Sequence, residues 1–201
     1  MSSTAALGKQ QAKSLRARNL ICEATIALLV TKGYSDTSLN QVAAMAGFSK
    51  GALQHHYPSK EDLIAATLNK LLARPFQPAR EQPSSVEEAL LLAWNKYINT
   101  PAYRALMEIL NAARTDTLLQ DRISTDLLAW GRALDGQSLA QYAAVSGDDE
   151  DVVMLLNMTR SFLRGLLIQA RYGSDGVKHL SYVKKWIGLI APLLMLRESK
   201  K

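Results

Sequence analysis

The stretch GFSKGALQHHYPSKEDL, residues 47–63, decides how the rest of the chain is read. Ser49 is a good helix N-cap. Phe48 before it and Leu53 four residues after it make a hydrophobic staple, which sets the angle of a short helix from about Ser49 to His56. Ser59 caps a further helix, with Asp62 at its third position and Leu63, Ile64, Leu68, Leu71 and Leu72 turned inward. Just upstream, TSLNQVAAMAG (37–47) follows the same grammar: Ser38 and Gln41 form a capping-box pair, Leu39, Val42, Ala43 and Ala46 make one apolar face, and Gly47 is the stop. Two short helices joined by GFS are a helix-turn-helix layout. Phe48, Leu53 and Tyr57 hold the second helix down, which leaves Lys50, Gly51, Gln54 and His55 pointing outward.

Charge agrees with a polyanion lying against that face. The chain of 201 residues carries a net +6. Residues 1–80 hold ten Lys/Arg and four Asp/Glu (10 − 4 = +6), whereas residues 81–201 hold fourteen of each and sum to zero. A basic module joined to a neutral one implies a polyanionic partner for the first part only. No apolar run approaches the length of a membrane span, IGLIAPLLML (187–196) being far too short. The first twenty residues hold no apolar stretch of signal-peptide length. The single cysteine, Cys22, has no internal partner and reads as a small buried residue. Together these point to a cytoplasmic protein with no membrane partner.

Along the chain, apolar residues recur at three and four, and strand signals are almost absent, so the expected fold class is all-α. A first helix from about Lys13 to Thr31 buries Leu20, Ile21, Ala24 and Leu28 and stops at Gly33. ARPFQPAREQP (73–83), with Pro75, Pro78 and Pro83, marks a boundary. The expected organisation is a flexible basic arm at 1–12, a helix-turn-helix domain at 13–74 and a helical domain at 75–201. In the latter, Ser84 or Ser85 caps a helix through Asn99, and Thr100–Pro101 starts another. A third pattern runs from Asp116 to Ala144, where Gly131 and Gly136 put its continuity in question. SGDDED (146–151) is an acidic start for a helix reaching Tyr172 and stopped by Gly173. The last helix, from Val177 to Arg197, carries Pro192, which predicts a kink.

Nothing in the sequence signals catalysis, metal or cofactor. His55 and His56 point about 100° apart on a helix and cannot easily share a metal, and His179 lies in the other module. No zinc spacing, P-loop, dinucleotide fingerprint or nucleophile elbow occurs. The chain is therefore read as no enzyme.

Residues 33–64, GYSDTSLNQVAAMAGFSKGALQHHYPSKEDLI, resemble the DNA-binding segment of TetR-type transcriptional regulators. Glycines 33, 47 and 51, the pair Thr37–Ser38, Ser49, Leu53, His56 and the run Ser59-Lys60-Glu61 fit that family's pattern. Two positions depart from it: Gln54 stands where the family mostly has tyrosine, and Tyr57 where it mostly has phenylalanine. The resemblance implies an N-terminal three-helix helix-turn-helix domain and a C-terminal helical ligand-binding and dimerisation domain, about nine helices in all. It implies phosphate contacts from Thr37, Ser38 and Lys60, and a groove-facing surface of Lys50, Gly51, Gln54 and His55 behind the cap Ser49. Gln54 either bonds an adenine edge bidentately or is solvated, touching only a phosphate or nothing. Arg16 and Arg18 either add backbone contacts or are solvated. His56 and Tyr57 pack or cap.

The resemblance also implies a homodimer, because helix-turn-helix heads usually meet successive turns of a duplex in pairs. Met158, Phe162, Leu166, Trp186, Ile190 and Leu194 belong to two helices more apolar than one face needs, and two such helices per chain would make a four-helix interface. A ligand pocket is expected among the middle helices, where Trp94, Tyr97, Tyr103, Arg104, Met107, Trp130 and Arg160 are candidates; the alternative is ordinary core aromatics and surface arginines. The implied function is a repressor that binds a partly palindromic double-stranded DNA operator and is released by a small molecule of unknown identity. Two other readings stay open: a sequence-tolerant DNA binder with steep salt dependence, and a helical enzyme acting on a small molecule.

Overall fold

The computed structural model describes residues 2–76, 83–170 and 176–197, with backbone alone for 2–7, 9, 176 and 177. The chain is all-α, as expected, with nine α-helices among the described residues. It divides into two compact units: Met1–Arg74 with Pro101–Asp126, and Pro75–Thr100 with Leu127–Lys201.

The first unit contains α1 (Ser2–Lys32), α2 (Leu39–Ala46), α3 (Lys50–His56), α4 (Lys60–Leu72), α6 (Pro101–Ala113) and the first turns of α7 (Thr117–Gln141). The helix begins at Ser2, so the arm expected at 1–12 is drawn into α1; Ala5, Ala6, Leu7, Gln10, Gln11 and Ala12 are good helix formers with no proline among them. The head has its own core, in which Ile21, Cys22, Ala24 and Leu28 of α1 meet Val42 and Ala43 of α2, Leu53 and Tyr57 around α3, and Leu63 of α4. Phe48 packs against the same cluster, so both members of the staple are in place. Fully burying a residue such as Leu53 or Leu63 is worth about 1.5–3 kcal/mol. α6 turns Ala102, Ala105, Leu106, Ile109 and Ala113 inward, and α7 adds Leu119 and Ile123. Residues 101–126 thus belong with the N-terminal unit rather than with 75–100, where the proline-rich boundary had put them.

The second unit starts with α5 (Val86–Ala93), capped by Ser85 and continued by one π-helical turn, Trp94–Ile98. The rest of α7 runs unbroken through Gly131 and Gly136. It gives way to β1 (Tyr142–Ala144), then α8 (Asp149–Gln169), α9 (Gly176–Ile190) and β2 (Leu194–Leu196). The strands pair antiparallel, Tyr142 with Leu196 and Ala144 with Leu194. This corrects the expected last helix, which does not kink and run on to Arg197. It ends at Ile190, Pro192 sits in a 3-10 turn, and the chain then extends. Arg197 locks the ribbon, its side chain donating to the Tyr142 carbonyl at 2.8 Å and pairing with Asp149 at 2.6 Å. The expected stop at Gly173 after Tyr172, and Pro78, lie outside the described residues.

Candidate nucleic-acid interface

The helix-turn-helix is built by caps. At the start of α2, the Ser38 hydroxyl accepts the Gln41 N–H at 3.4 Å and the Gln41 side chain accepts the Ser38 N–H at 3.1 Å. α2 ends at Gly47 with φ 75°, whose N–H bonds the Ala44 carbonyl while Phe48 N–H bonds that of Ala43. Only glycine adopts that left-handed backbone at little cost, and the sharp turn aims α3 across α2. Ser49 then accepts the Ala52 N–H at 3.2 Å.

On α3, Leu53 is wholly buried, and Tyr57 behind it is nearly so. Lys50, Gly51, Gln54 and His55 are exposed on one face of α3, and the cap residues Ser38 and Ser49 are exposed as well. This face offers an ammonium, an amide, an imidazole and two hydroxyls, and a glycine that adds no bulk. His56 is half-buried beside Arg18. Burial, then the Arg18 and His55 charges, lower its pKa below the ordinary 6.5. Burial raises the Tyr57 phenol, which lies 3.6 Å from the Cys22 sulfur.

Two residues expected at phosphates have other work. Thr37 is 2 % exposed and its hydroxyl donates to the Gly33 carbonyl at 2.7 Å, closing the turn between α1 and α2. The Lys60 ammonium donates to the Tyr34 carbonyl at 2.7 Å and lies 4.0 Å from the centre of the Tyr34 ring. Burial lowers its pKa. Neither bond is signalled by residue type or spacing, because each joins a side chain to a carbonyl whose position only the folded turn supplies.

The family model of bacterial regulatory proteins of the tetR family matches residues 21–67, the segment that makes this head. Residues 21–67 thus make a head of the tetR family of bacterial regulatory proteins. It is 25% identical over 183 residues to the HTH-type transcriptional regulator BetI of Escherichia coli, covering 75% of this chain and 93% of BetI. It is 39% identical over 57 residues to an HTH-type regulator of Bacillus subtilis, YuxN; that match spans 28% of this chain and 20% of YuxN. A TetR-family regulator of Rhodococcus sp. has the same fold, with TM-score 0.66 and 18% identity over 88% of this chain and 99% of that one. So has a regulator of Saccharomonospora viridis solved with choline, with TM-score 0.58 and 18% identity over 91% of this chain and 99% of that one.

The candidate pocket residues are split between the chain's two units. Tyr103, Arg104 and Met107 are on α6 in the first, and Trp94, Tyr97, Trp130 and Arg160 are in the second. Trp94 is buried, and Arg160 is held by Asp135 at 3.0 Å, Asn157 at 2.9 Å and Ser138 at 3.3 Å. Two buried nitrogens in the second unit have no hydrogen-bond partner among the described residues: Nε1 of Trp130 and Nε2 of His179. His179 is 7 % exposed and was not singled out from sequence. Its signal was there, since it leads the stripe His179, Val183, Ile187 and Ile190 that α9 turns inward.

Of the six candidate interface residues, Leu166, Ile190 and Leu194 are buried within this chain. Phe162 and Trp186 are half-buried and stacked 4.8 Å apart, with the indole N–H on the Thr159 hydroxyl. Met158 is exposed, as are Met154, Tyr182 and Leu189 on the same two helices. Among the described residues no His, Cys, Asp and Glu cluster suits a metal ion, and no helix is long and apolar enough to cross a membrane.

Proposed function

We propose that the chain is a ligand-responsive repressor that binds a partly palindromic operator as a homodimer. The observation that carries this reading is the exposed face of α3. A helix held from below by Leu53 and Tyr57 presents Lys50, Gly51, Gln54 and His55 and nothing else of size, which fits a major groove. Ser38 and Ser49 supply exposed flanking hydroxyls, and Lys50 supplies charge; Thr37 is left out of the contact set because it is buried, and Lys60 because its ammonium turns back onto Tyr34. Phosphate contacts set the register and Gln54 reads a base.

The ligand is taken up by the second unit. The choline bound by the Saccharomonospora viridis regulator supports a small organic ligand. In this chain Trp130 and His179 are the groups that would turn to it, because leaving a buried nitrogen unpaired costs free energy that a hydrogen bond to a ligand recovers. Trp94 and Tyr97 would add aromatic surface. Release requires that the ligand bind the two states of the protein with different affinity.

The test is selection of bound duplexes from a random pool at physiological salt. A two-fold symmetric motif with half-sites about 34–36 Å apart, or a multiple, is expected. Binding without an enriched motif, vanishing as salt rises, would overturn it in favour of sequence-tolerant binding.

A further inference from the structure

We propose that Lys60, Tyr34 and Asp116 form a strut that sets the pitch of the reading helix, so that Lys60 is a positioning residue and not a phosphate ligand. The inference rests on the DNA-binding reading above.

The helix-turn-helix segment begins at Ser38 and ends at Tyr57, and the strut joins the chain just outside those two ends. On one side is the turn at 33–37, where the Tyr34 carbonyl accepts both the Thr37 N–H at 3.2 Å and the Lys60 ammonium at 2.7 Å. Both lone pairs of that oxygen are thereby used. On the other side is the start of α4, where Ser59 and Asp62 cap each other at 2.8 and 3.0 Å. Lys60 crosses between the two, with its charge on the face of the Tyr34 ring.

α7 grips both sides. Asp116 caps it, one carboxylate oxygen accepting the Leu119 N–H at 3.0 Å while the other accepts the Tyr34 hydroxyl at 2.8 Å. One turn further on, Arg122 pairs with Asp62, whose second oxygen is held by Ser59. Asp116 thus caps α7 and Asp62 braces the Ser59 cap of α4, and each ties its helix to a neighbour. A charge-assisted bond of this kind is stronger and more directional than a neutral one. Within this unit the ends of the helix-turn-helix cannot move apart without breaking a bond to the lysine, and cannot shift together without breaking those to α7. The bond to the Tyr34 carbonyl takes one of the three ammonium donors, and the Tyr34 ring lies against the same charge.

Salt dependence separates the two roles, because each phosphate neutralised contributes about 0.9 to the slope of log affinity against log salt. Lys60→Met and Tyr34→Phe are to be compared with the wild type on the selected operator and on random duplex, with amide exchange measured on the DNA-free proteins. The expected result is about a tenfold loss on operator for both variants, little change on random duplex and an unchanged salt slope. Exchange at residues 35–38 should speed up in both while Leu68 in the core stays protected. A slope lower by about 0.9 for Lys60→Met would make Lys60 a phosphate ligand and overturn the proposal. So would unchanged exchange at residues 35–38. If the wild type selects no sequence, the operator reading fails, and exchange alone still decides the strut.

Discussion

Gln54 is the residue on which sequence reading depends most, because it is exposed at the middle of α3 where the family mostly has a tyrosine. If its amide meets an adenine edge, Gln54→Ala costs about 1–3 kcal/mol at one base position and leaves other positions alone. Competition binding against single-base operator variants reads this directly; equal weakening on every variant would make it a backbone contact. Two residues further on, His56 links the head to pH. Burial, Arg18 and His55 lower its folded pKa below the ordinary 6.5, so the unfolded chain binds the proton more readily. The fold's preference for neutral His56 is fully present above 6.5 and is lost as pH falls through the lower folded value. Urea midpoints from pH 7.5 to 5 should therefore drop less for His56→Gln than for the wild type; identical pH profiles would remove His56 from the account. His179 has a simpler expectation. Replacing its unpaired nitrogen, His179→Leu, should raise the stability by up to about 1 kcal/mol in the absence of ligand, seen as a higher denaturation midpoint. A lowered midpoint would mean that the nitrogen is satisfied.

At the scale of the element, α3 places function against stability at Gly51. A Cβ there meets nothing within 4 Å, so Gly51→Ala has room in the free protein. It should stabilise the short helix by about 0.5 kcal/mol and, if α3 lies close in the groove, weaken operator binding. Thermal melts and operator titrations on the same sample test both halves. A gain in stability with no loss of affinity would mean that the glycine does not approach the DNA. The caps of these elements were legible because capping is local: Ser38 with Gln41, Ser49 with Ala52, Ser59 with Asp62 and Ser85 with Glu88 all fall within three residues. The ribbon was not legible. Its strands have three residues each, too few to show a period, and Tyr142 finds Leu196 across more than fifty positions of chain. The inward roles of Thr37 and Lys60 were hidden for a related reason. A TetR-like pattern fixes residue type at a position, but the same lysine at the same helix start can reach out to a phosphate or back to Tyr34.

For the whole molecule, periodicity says that a helix face is buried but not against what. α6 turns Ala102, Ala105, Leu106, Ile109 and Ala113 inward, and any apolar neighbour would satisfy that pattern. Its membership in the N-terminal unit comes only from the fold. Oligomeric state is the same kind of question one level up. Leu166, Ile190 and Leu194 answer it for themselves, because they are consumed by their own chain's core. What remains outside is Met158, about half exposed, beside a helix that carries exposed Tyr182 and Leu189. The stacked Phe162 and Trp186 join α8 to α9. A second copy covering those exposed residues would join two heads, and joining them raises the effective concentration of the second at its half-site into the millimolar range. Met158→Glu should then leave the circular dichroism of the chain unchanged, since the side chain is exposed, while converting dimer to monomer in sedimentation. Operator affinity should fall by more than about tenfold, with each head binding its half-site alone. Leu128→Glu, on an exposed residue of α7, is the matched control and should do neither. A Met158→Glu protein that sediments as a dimer with full operator affinity would place the subunit contact elsewhere on the surface.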